Sequence, residues 1–267
     1  MKSIAELINL TGRSAIITGG AGHIGGAAAD TLGELGATVS ILDLDADACQ
    51  RKVDSLTQTG APKGVALSCD LLDQQATRQA LRNCVESVGR LDILVHCAAY
   101  VGTTQVPGWS VPFEEQGVEA WDAAMRVNLT SAFVMVQEAQ KAMSISGHGS
   151  VVLFGSTYGL VGPDMRLYED TTMANAAGYA ASKGGVLQLT RYLATVLAPN
   201  IRVNAITPGG VWRNQPDAFH QRYVSHTPLE RMAAEQDLKG AIAYLASDLS
   251  EYVTGHNLVV DGGWTAW

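Results

Sequence analysis

Residues 14–25 read SAIITGGAGHIG. Ser14–Thr18 is a short apolar run rich in β-branched side chains, which fits a strand buried on both faces. Gly19, Gly20, Gly22 and Gly25 then turn the chain into a segment of helical character over 24–35. Glycines at such a turn let the backbone come close to a ligand. The helix that follows presents unpaired N–H groups and the positive end of its dipole, which suits a pyrophosphate. Strand, glycine turn and helix in that order form the first βα unit of a nucleotide-binding α/β sheet.

The rhythm continues outward from this unit. Strands are expected at Ser14–Thr18, Thr38–Asp43, Gly64–Ser68, Asp92–His96, Ser150–Phe154, Arg202–Thr207 and Asn257–Val260. Helices are expected near 24–35, 45–58, 73–88, 118–143, 178–197 and 234–246. Alternation of this kind implies right-handed crossovers and a parallel sheet covered on both faces. The fold class is therefore α/β, a doubly wound seven-stranded parallel sheet of the Rossmann type. With no repeat, low-complexity tract or linker, residues 1–267 read as one domain. Three stretches break the rhythm: 100–117, 160–177 and 208–233. Each follows the C-terminal end of a strand, where open α/β sheets seat their ligands, so these loops are expected to shape a substrate pocket.

Composition narrows the partners. A net charge of −8 without a basic cluster argues against nucleic acid and anionic membrane surfaces. Hydrophobic residues make up 47% of the chain, enough for a substantial core. Cys49, Cys69, Cys84 and Cys97 show no CxxC spacing and suggest buried thiols in a reducing compartment, with neither a disulfide framework nor a zinc site. The histidines form no metal-ligand pattern. MKSIAELINLTGR lacks the apolar core of a signal peptide, and no apolar run approaches a membrane span, so a cytoplasmic location is expected.

Two constellations carry chemistry. Asp43 closes the second strand, where a carboxylate can accept both ribose hydroxyls of NAD and would repel the 2′-phosphate of NADP. No lysine or arginine stands beside it or in the glycine turn, so NAD is the expected cofactor. Asp70, closing the third strand, reads equally as an acceptor for the adenine amine and as an acid at the start of the next helix. Downstream, Tyr179 and Lys183 are spaced to share one face of a helix. A phenol with pKa near ~10 is a poor acid–base catalyst at neutral pH, and a neighbouring ammonium stabilises its phenolate. Ser156 can hydrogen-bond a reacting oxygen. The set points to hydride transfer.

With these residues in view, the chain resembles the short-chain dehydrogenase/reductase family over nearly its whole length. The resemblance rests on TGGAGHIG (18–25), Asp43, Asp70, Asn128 in MRVNLTS, Ser156 in VVLFGSTYG, Tyr179-Ala-Ala-Ser-Lys183, VNAITPG ending at Gly209, and GHNLVVDGG near the C-terminus. It implies that Tyr179 is general acid for ketone reduction and base for alcohol oxidation. Lys183 would lower its pKa and bind the nicotinamide ribose, Ser156 would polarise the substrate oxygen, and Asn128 would hold a water linking Lys183 to solvent. It further implies cofactor contacts from Gly19, Gly22, His23, Ile24, Gly25, Asp43, Asp70, Leu71, Cys97, Ala98, Tyr179, Lys183, Pro208, Gly209 and Val211, and a homotetramer built through helices 118–143 and 178–197 and the last strand. The stripe Val186, Leu189, Leu193, Val196 suits either a partner or the core.

The chain also departs from the family pattern. His23 stands where glycine is usual, His96-Cys97-Ala98-Ala99 replaces NNAG, Arg213 takes the place of a threonine after the Pro-Gly pair, and the segment between Ser156 and Tyr179 is longer than is common. That insertion and the ending DGGWTAW are similar to members of bacterial sugar and surface-polysaccharide metabolism, implying a sugar, polyol or sugar-derived secondary alcohol as substrate. Arg166, Arg213 and Arg222 read either as a clamp for such a substrate or as solvated surface charges. The competing functions are 3-oxoacyl-carrier-protein reduction, against which Asp43 and the acidic charge speak, and a non-catalytic dinucleotide sensor, which would leave the Asn-Ser-Tyr-Lys set unexplained.

Overall fold

Alternate side chains of each central strand feed two separate cores. In β1 (Ser14–Thr18), Ala15 and Ile17 point to one face and Ile16 to the other. The first face also receives Val39 and Ile41 of β2 (Thr38–Asp43), Ile93 and Val95 of β4 (Ile93–His96), and Ile206 of β6 (Ile201–Pro208). It is covered by α2 (His23–Glu34), α3 (Ala46–Gln58) and α9 (Lys239–Ala246), through residues such as Leu32, Val53 and Ile242. The second face carries Leu94, Val151 and Leu153, the latter two from β5 (Gly149–Phe154). It is covered by α4 (Gln74–Val88), α6 (Ser131–Ser146) and α7 (Ala177–Leu197), through Leu81, Met135 and Val186. Truncating one such leucine or isoleucine to alanine costs about 2–5 kcal/mol.

The computed structural model describes residues 1–267 apart from Thr103, His148 and Thr172. Thr103 and Thr172 fall in the expected loops 100–117 and 160–177 and lie outside the described residues. With β3 (Lys63–Ser68) and β7 (Asn257–Val260), the strands form one seven-stranded sheet in the order β3-β2-β1-β4-β5-β6-β7, every pairing parallel. The order reverses between β1 and β4, and the crevice outside their C-terminal ends is where such a sheet seats a ligand. Helix starts follow local chemistry: Asp45 caps α3 by accepting from Ala48 N, and Asp73 caps α4 by accepting from Gln75 N and Ala76 N.

The expected helix 118–143 is interrupted. α5 (Val118–Met125) passes into a π-helical turn over Arg126–Thr130 before α6 begins, with Ser131 N donating to Arg126 O. Such turns insert one residue and re-aim the backbone, and here the insertion carries Asn128. Two short helices were not expected. α1 (Ile4–Ile8) is closed by a Ser3–Glu6 capping box, and α8 (Asp217–Ser225) lies inside the 208–233 stretch and buries Phe219 and Tyr223. No helix among the described residues is long and apolar enough to cross a membrane. The Val186–Val196 stripe divides: Val186 and Leu193 are core, while Val196 is 52% exposed.

Candidate active site

The glycine turn after β1 is packed backbone to backbone against the end of β4. Gly19 has φ +66°, and a Cβ there would meet Ala98 N at 2.8 Å. A Cβ at Gly25 would collide with Gly19 O. Thr18 ties the two strand ends by accepting from Cys97 N (3.1 Å) on its carbonyl and from Ala98 N (3.3 Å) on its hydroxyl. Above this junction opens a cleft of about 340 Å³.

The cleft collects most of the expected cofactor residues: Gly19, Gly22, His23, Ile24, Gly25, Asp43, Asp70, Leu71, Cys97 and Ala98 all line it. Asp43 holds the turn by accepting from Ala21 N (3.1 Å) and Leu44 N (2.8 Å), and its remaining lone pairs face outward for further donors. Asp70 accepts from Leu72 N at 2.9 Å, a local turn at the head of the segment leading to α4. A turn of glycines packed too closely for side chains at the head of α2, with a carboxylate at the tip of β2, fits a dinucleotide's diphosphate and ribose.

Pro208, Gly209 and Val211 are placed elsewhere. Gly209 N donates to Val260 O at 2.9 Å, Pro208 pairs in register with Val260, and Val211 bridges to Ala233. These backbone groups are spent on β7 and the 232–234 segment, so the three residues do not line the cleft. Two residues on, Arg213 does. The sequence leaves it open between a substrate clamp and a solvated surface charge, at the position of the family's threonine, and nothing local in the sequence brings it beside His23. Leu42, Leu44, Cys69 and Ala99 also line the cleft unforeseen, each next to an expected contact, and so do Tyr100 and Val127, which are not.

Beside the cleft lie the catalytic candidates. Ser156 is 7% exposed, lies two residues beyond β5, and reaches the Tyr179 phenol through its hydroxyl while accepting from Tyr158 N at 3.2 Å. Lys183, 4% exposed, donates from Nζ to Phe154 O at 2.7 Å and stands 5.8 Å from the Tyr179 ring centroid. Tyr179 packs against the same buried cluster (Trp109, Ala120, Ala124, Ala176) as the cleft residue Tyr100, and Lys183 lies near Cys97 of the cleft wall, so the pair stands behind that wall. Burial pushes the Lys183 ammonium down to about 8. The expected lowering of the phenol is not present in this arrangement. Burial raises Tyr179, the Ser156 hydrogen bond opposes that, and the nearby Tyr168 adds to it.

Asn128 lies fully buried in the π turn. Its Oδ1 accepts from Tyr100 N (2.7 Å), and its Nδ2 donates to Ser182 Oγ (2.9 Å) and Tyr100 O (3.4 Å). Both amide hydrogens thus tie the 100–117 loop to α7. His96 also turns away from the cleft. Ser131 Oγ donates to Val127 O (2.6 Å), so His96 Nε2 is the donor in its 2.7 Å bond to Ser131 Oγ. Burial, with Lys183 nearby, drives the ring down to about 3, and it stays neutral.

The inserted segment builds the outer wall. Tyr158 and Tyr168 share a 2.8 Å hydroxyl contact, and Phe219, Tyr223 and Trp264 complete an aromatic cluster with them. A second cleft of about 800 Å³ runs between Phe113 and Gln116 on one side and Tyr168, Met173 and Asn175 on the other. Asn175 Oδ1 and Trp264 Nε1 are enclosed without a hydrogen-bond partner among the described residues. The three loop arginines do not converge: Arg166 pairs with Asp164, Arg222 with Asp170 and the Glu169 carbonyl, and Arg213 with Glu235. Among the described residues no cluster could hold a metal ion, and all four cysteines are free.

Comparison with known proteins agrees with this geometry. The family described as enoyl-(acyl carrier protein) reductase matches residues 19–265. Trans-4-hydroxycyclohexanecarboxylate dehydrogenase of Sinomonas cyclohexanicum is 36% identical, the match covering 94% of this chain and 92% of the relative. L-rhamnose 1-dehydrogenase (NAD(P)(+)) of a Sphingomonas strain is 32% identical, covering 95% and 96%. The crystal structure of a short-chain type dehydrogenase/reductase from Mycobacterium marinum superposes with a TM-score of 0.85 at 30% identity, over 100% of both chains. A sheet reversing at the glycine turn, joined to such matches along its whole length, shows that this chain belongs to the short-chain dehydrogenase/reductase family and is an oxidoreductase acting on CH–OH groups.

Proposed function

We propose that the chain is an NAD(H)-dependent dehydrogenase of ring-bearing or polyhydroxylated secondary alcohols, with Tyr179, Ser156, Lys183 and Asn128 as its working set. The observation that carries this reading is the convergence of Ser156, Tyr179 and Lys183 behind Cys97, a wall residue of the cleft that the glycine turn and Asp43 also line. When bound, the nicotinamide supplies hydride exchange with the substrate carbon. The protein supplies positioning and a proton. Tyr179 Oη gives a proton to a ketone oxygen or takes one from an alcohol, and Ser156 Oγ orients that oxygen by a second hydrogen bond. Lys183 remains charged at neutral pH and stands over the phenol ring, where it favours the phenolate that forms during reduction. Because burial raises the phenol, the resting site holds the protonated form, the one that serves ketone reduction. Asn128 acts by fixing the loop that carries Tyr100 onto α7.

Asp43 supports NAD over NADP, since a 2′-phosphate at the tip of β2 meets a carboxylate. The aromatic wall of Tyr158, Tyr168 and Trp264, together with the unpaired acceptor on Asn175, suits an alicyclic or pyranose ring carrying further hydroxyls. The relatives named above act on a substituted cyclohexane and on a sugar, which supports the same class. A homotetramer is supported by apolar side chains left open on α6, α7 and β7: Phe133 (41% exposed), Tyr192 (59%) and Val259 (39%). Four free thiols support a reducing, cytoplasmic setting. The test is turnover of NAD⁺ with cyclohexanols, hydroxycyclohexanecarboxylates, aldoses and polyols, alongside Ser156→Ala. The reading expects oxidation of a ring alcohol that the variant loses; turnover confined to acyl thioesters with NADPH would replace it.

A further inference from the structure

Two of the positions that depart from the family pattern meet at one carboxylate. His23 Nδ1 lies 3.6 Å from Glu235 Oε1, and Arg213 Nε lies 3.3 Å from the same oxygen. His23 begins α2, Arg213 follows β6, and Glu235 opens the short 3₁₀ turn before α9, so the cluster ties together segments far apart in sequence. Both His23 and Arg213 line the 340 Å³ cleft. The other charged residues in its wall are Asp43 and Asp70, which leaves Arg213 as its one permanent cation among the described residues.

The backbone beneath Arg213 is fixed: its N–H donates to Gln215 Oε1 (2.7 Å), and Gln215 Nε2 donates to Val211 O (2.9 Å). The side chain is less committed. Nε is its only guanidinium nitrogen that bonds a described residue, so the two terminal nitrogens are open. Those form the fork that matches oxyanions. Arg213 and Glu235 are each 34% exposed, and an ion pair so open to water is readily exchanged for a more highly charged partner.

We propose that Arg213 grips the diphosphate bridge of the bound dinucleotide, leaving Glu235 as the counter-ion that the ligand displaces, with His23 closing the same rim. The proposal rests on reading the cleft as the dinucleotide site. The diphosphate is favoured over a 2′-phosphate because Arg213 converges with His23, at the head of α2, and makes no contact with Asp43 at the tip of β2. Arginine here supplies the turn with a charge that a threonine lacks.

The test is equilibrium binding, by calorimetry or quenching of tryptophan fluorescence, with ADP-ribose, adenosine and 2′-AMP as probes. Arg213→Ala should weaken ADP-ribose by about ten- to a hundredfold, the loss of a charge-assisted pair, and leave adenosine unchanged. Arg213→Lys should recover part of the loss. Added salt should weaken ADP-ribose more steeply for the unaltered protein than for Arg213→Ala. Glu235→Gln should tighten ADP-ribose, because the rival carboxylate is gone. Equal losses for adenosine and ADP-ribose, or no loss for either, would overturn the assignment, as would weaker binding in Glu235→Gln. Selective loss of 2′-AMP would move Arg213 to the ribose phosphate and overturn it as well. If the unaltered protein binds no ADP-ribose, the dinucleotide reading itself fails, a result distinct from any of these. Thermal melting of each variant checks the fold.

Discussion

At one end of the cleft Asp43 sits half-exposed on the tip of β2, its oxygens holding two backbone N–H groups of the adjoining turns. At the other end Lys183 is buried to 4% exposure, with its ammonium on the carbonyl of Phe154. The two ends use charge differently. On the proposed reading, a carboxylate left open to water selects ligands by repulsion, an effect that salt weakens. Enclosed groups have their proton affinities altered by burial itself, and what they gain is control over which form of the phenol is present. Selectivity belongs to the open end and reactivity to the closed one.

The largest effect that could break this division is at the closed end. Tyr179→Phe removes the transferable proton and should cut turnover by at least about a hundredfold, the usual size of acid–base catalysis. NADH binding, followed by fluorescence, should hold within about twofold if the open end carries affinity. Next comes the open end: Asp43→Ser should raise kcat/KM with NADP⁺ relative to NAD⁺ by about tenfold or more, with kcat on the preferred cofactor little changed. A fall in kcat equal to that of Tyr179→Phe would erase the distinction between the ends. Asn128→Ala leaves Tyr100 N and Ser182 Oγ short of partners in a buried place, so urea unfolding should show a loss of about 1–3 kcal/mol.

The smallest effect is a pH slope. Unfolded Lys183 holds its proton to about 10.5, whereas the folded chain releases it near 8. Between about pH 8 and 10 unfolding therefore takes up a proton, and stability should rise with pH on that account. Lys183→Met should flatten the slope. A slope unchanged by that substitution would place the lysine's titration elsewhere. Above pH 10 the raised phenol of Tyr179 acts in the opposite sense, since the unfolded chain loses that proton first.

The strands were legible because burial on both faces leaves a run such as SAIIT with no polar alternation to confuse it, and all of Ser14–Thr18 is buried. That the glycine turn and Asp43 would line one cleft was legible for a related reason: each takes its place within its own βα unit. Features that depend on distant partners were not. The π turn at Asn128 exists through bonds to Tyr100 and Ser182, which apolar spacing does not encode. α8 is short and follows a proline, and its two buried aromatics face the inserted segment, so its local pattern is weak. Arg213 reaches the cleft because the chain after β6 pairs with the segment before α9, through the Val211–Ala233 bridge and the Glu235 carboxylate that His23 also approaches, a fact of tertiary packing. The phenol's raised pKa reflects depth of burial, which the Tyr179–Lys183 spacing cannot express.

The most direct measurement follows the hydrogen. A ring alcohol bearing deuterium on its carbinol carbon is incubated with NAD⁺ and the chain, and the reduced cofactor is examined by mass spectrometry. Hydride transfer from the carbinol carbon to the cofactor, with Tyr179 handling the hydroxyl proton, requires deuterium in the NADH, a slower rate than with the unlabelled alcohol, and loss of both signals in Tyr179→Phe. NADH free of label, or label appearing as readily with Tyr179→Phe, would contradict it.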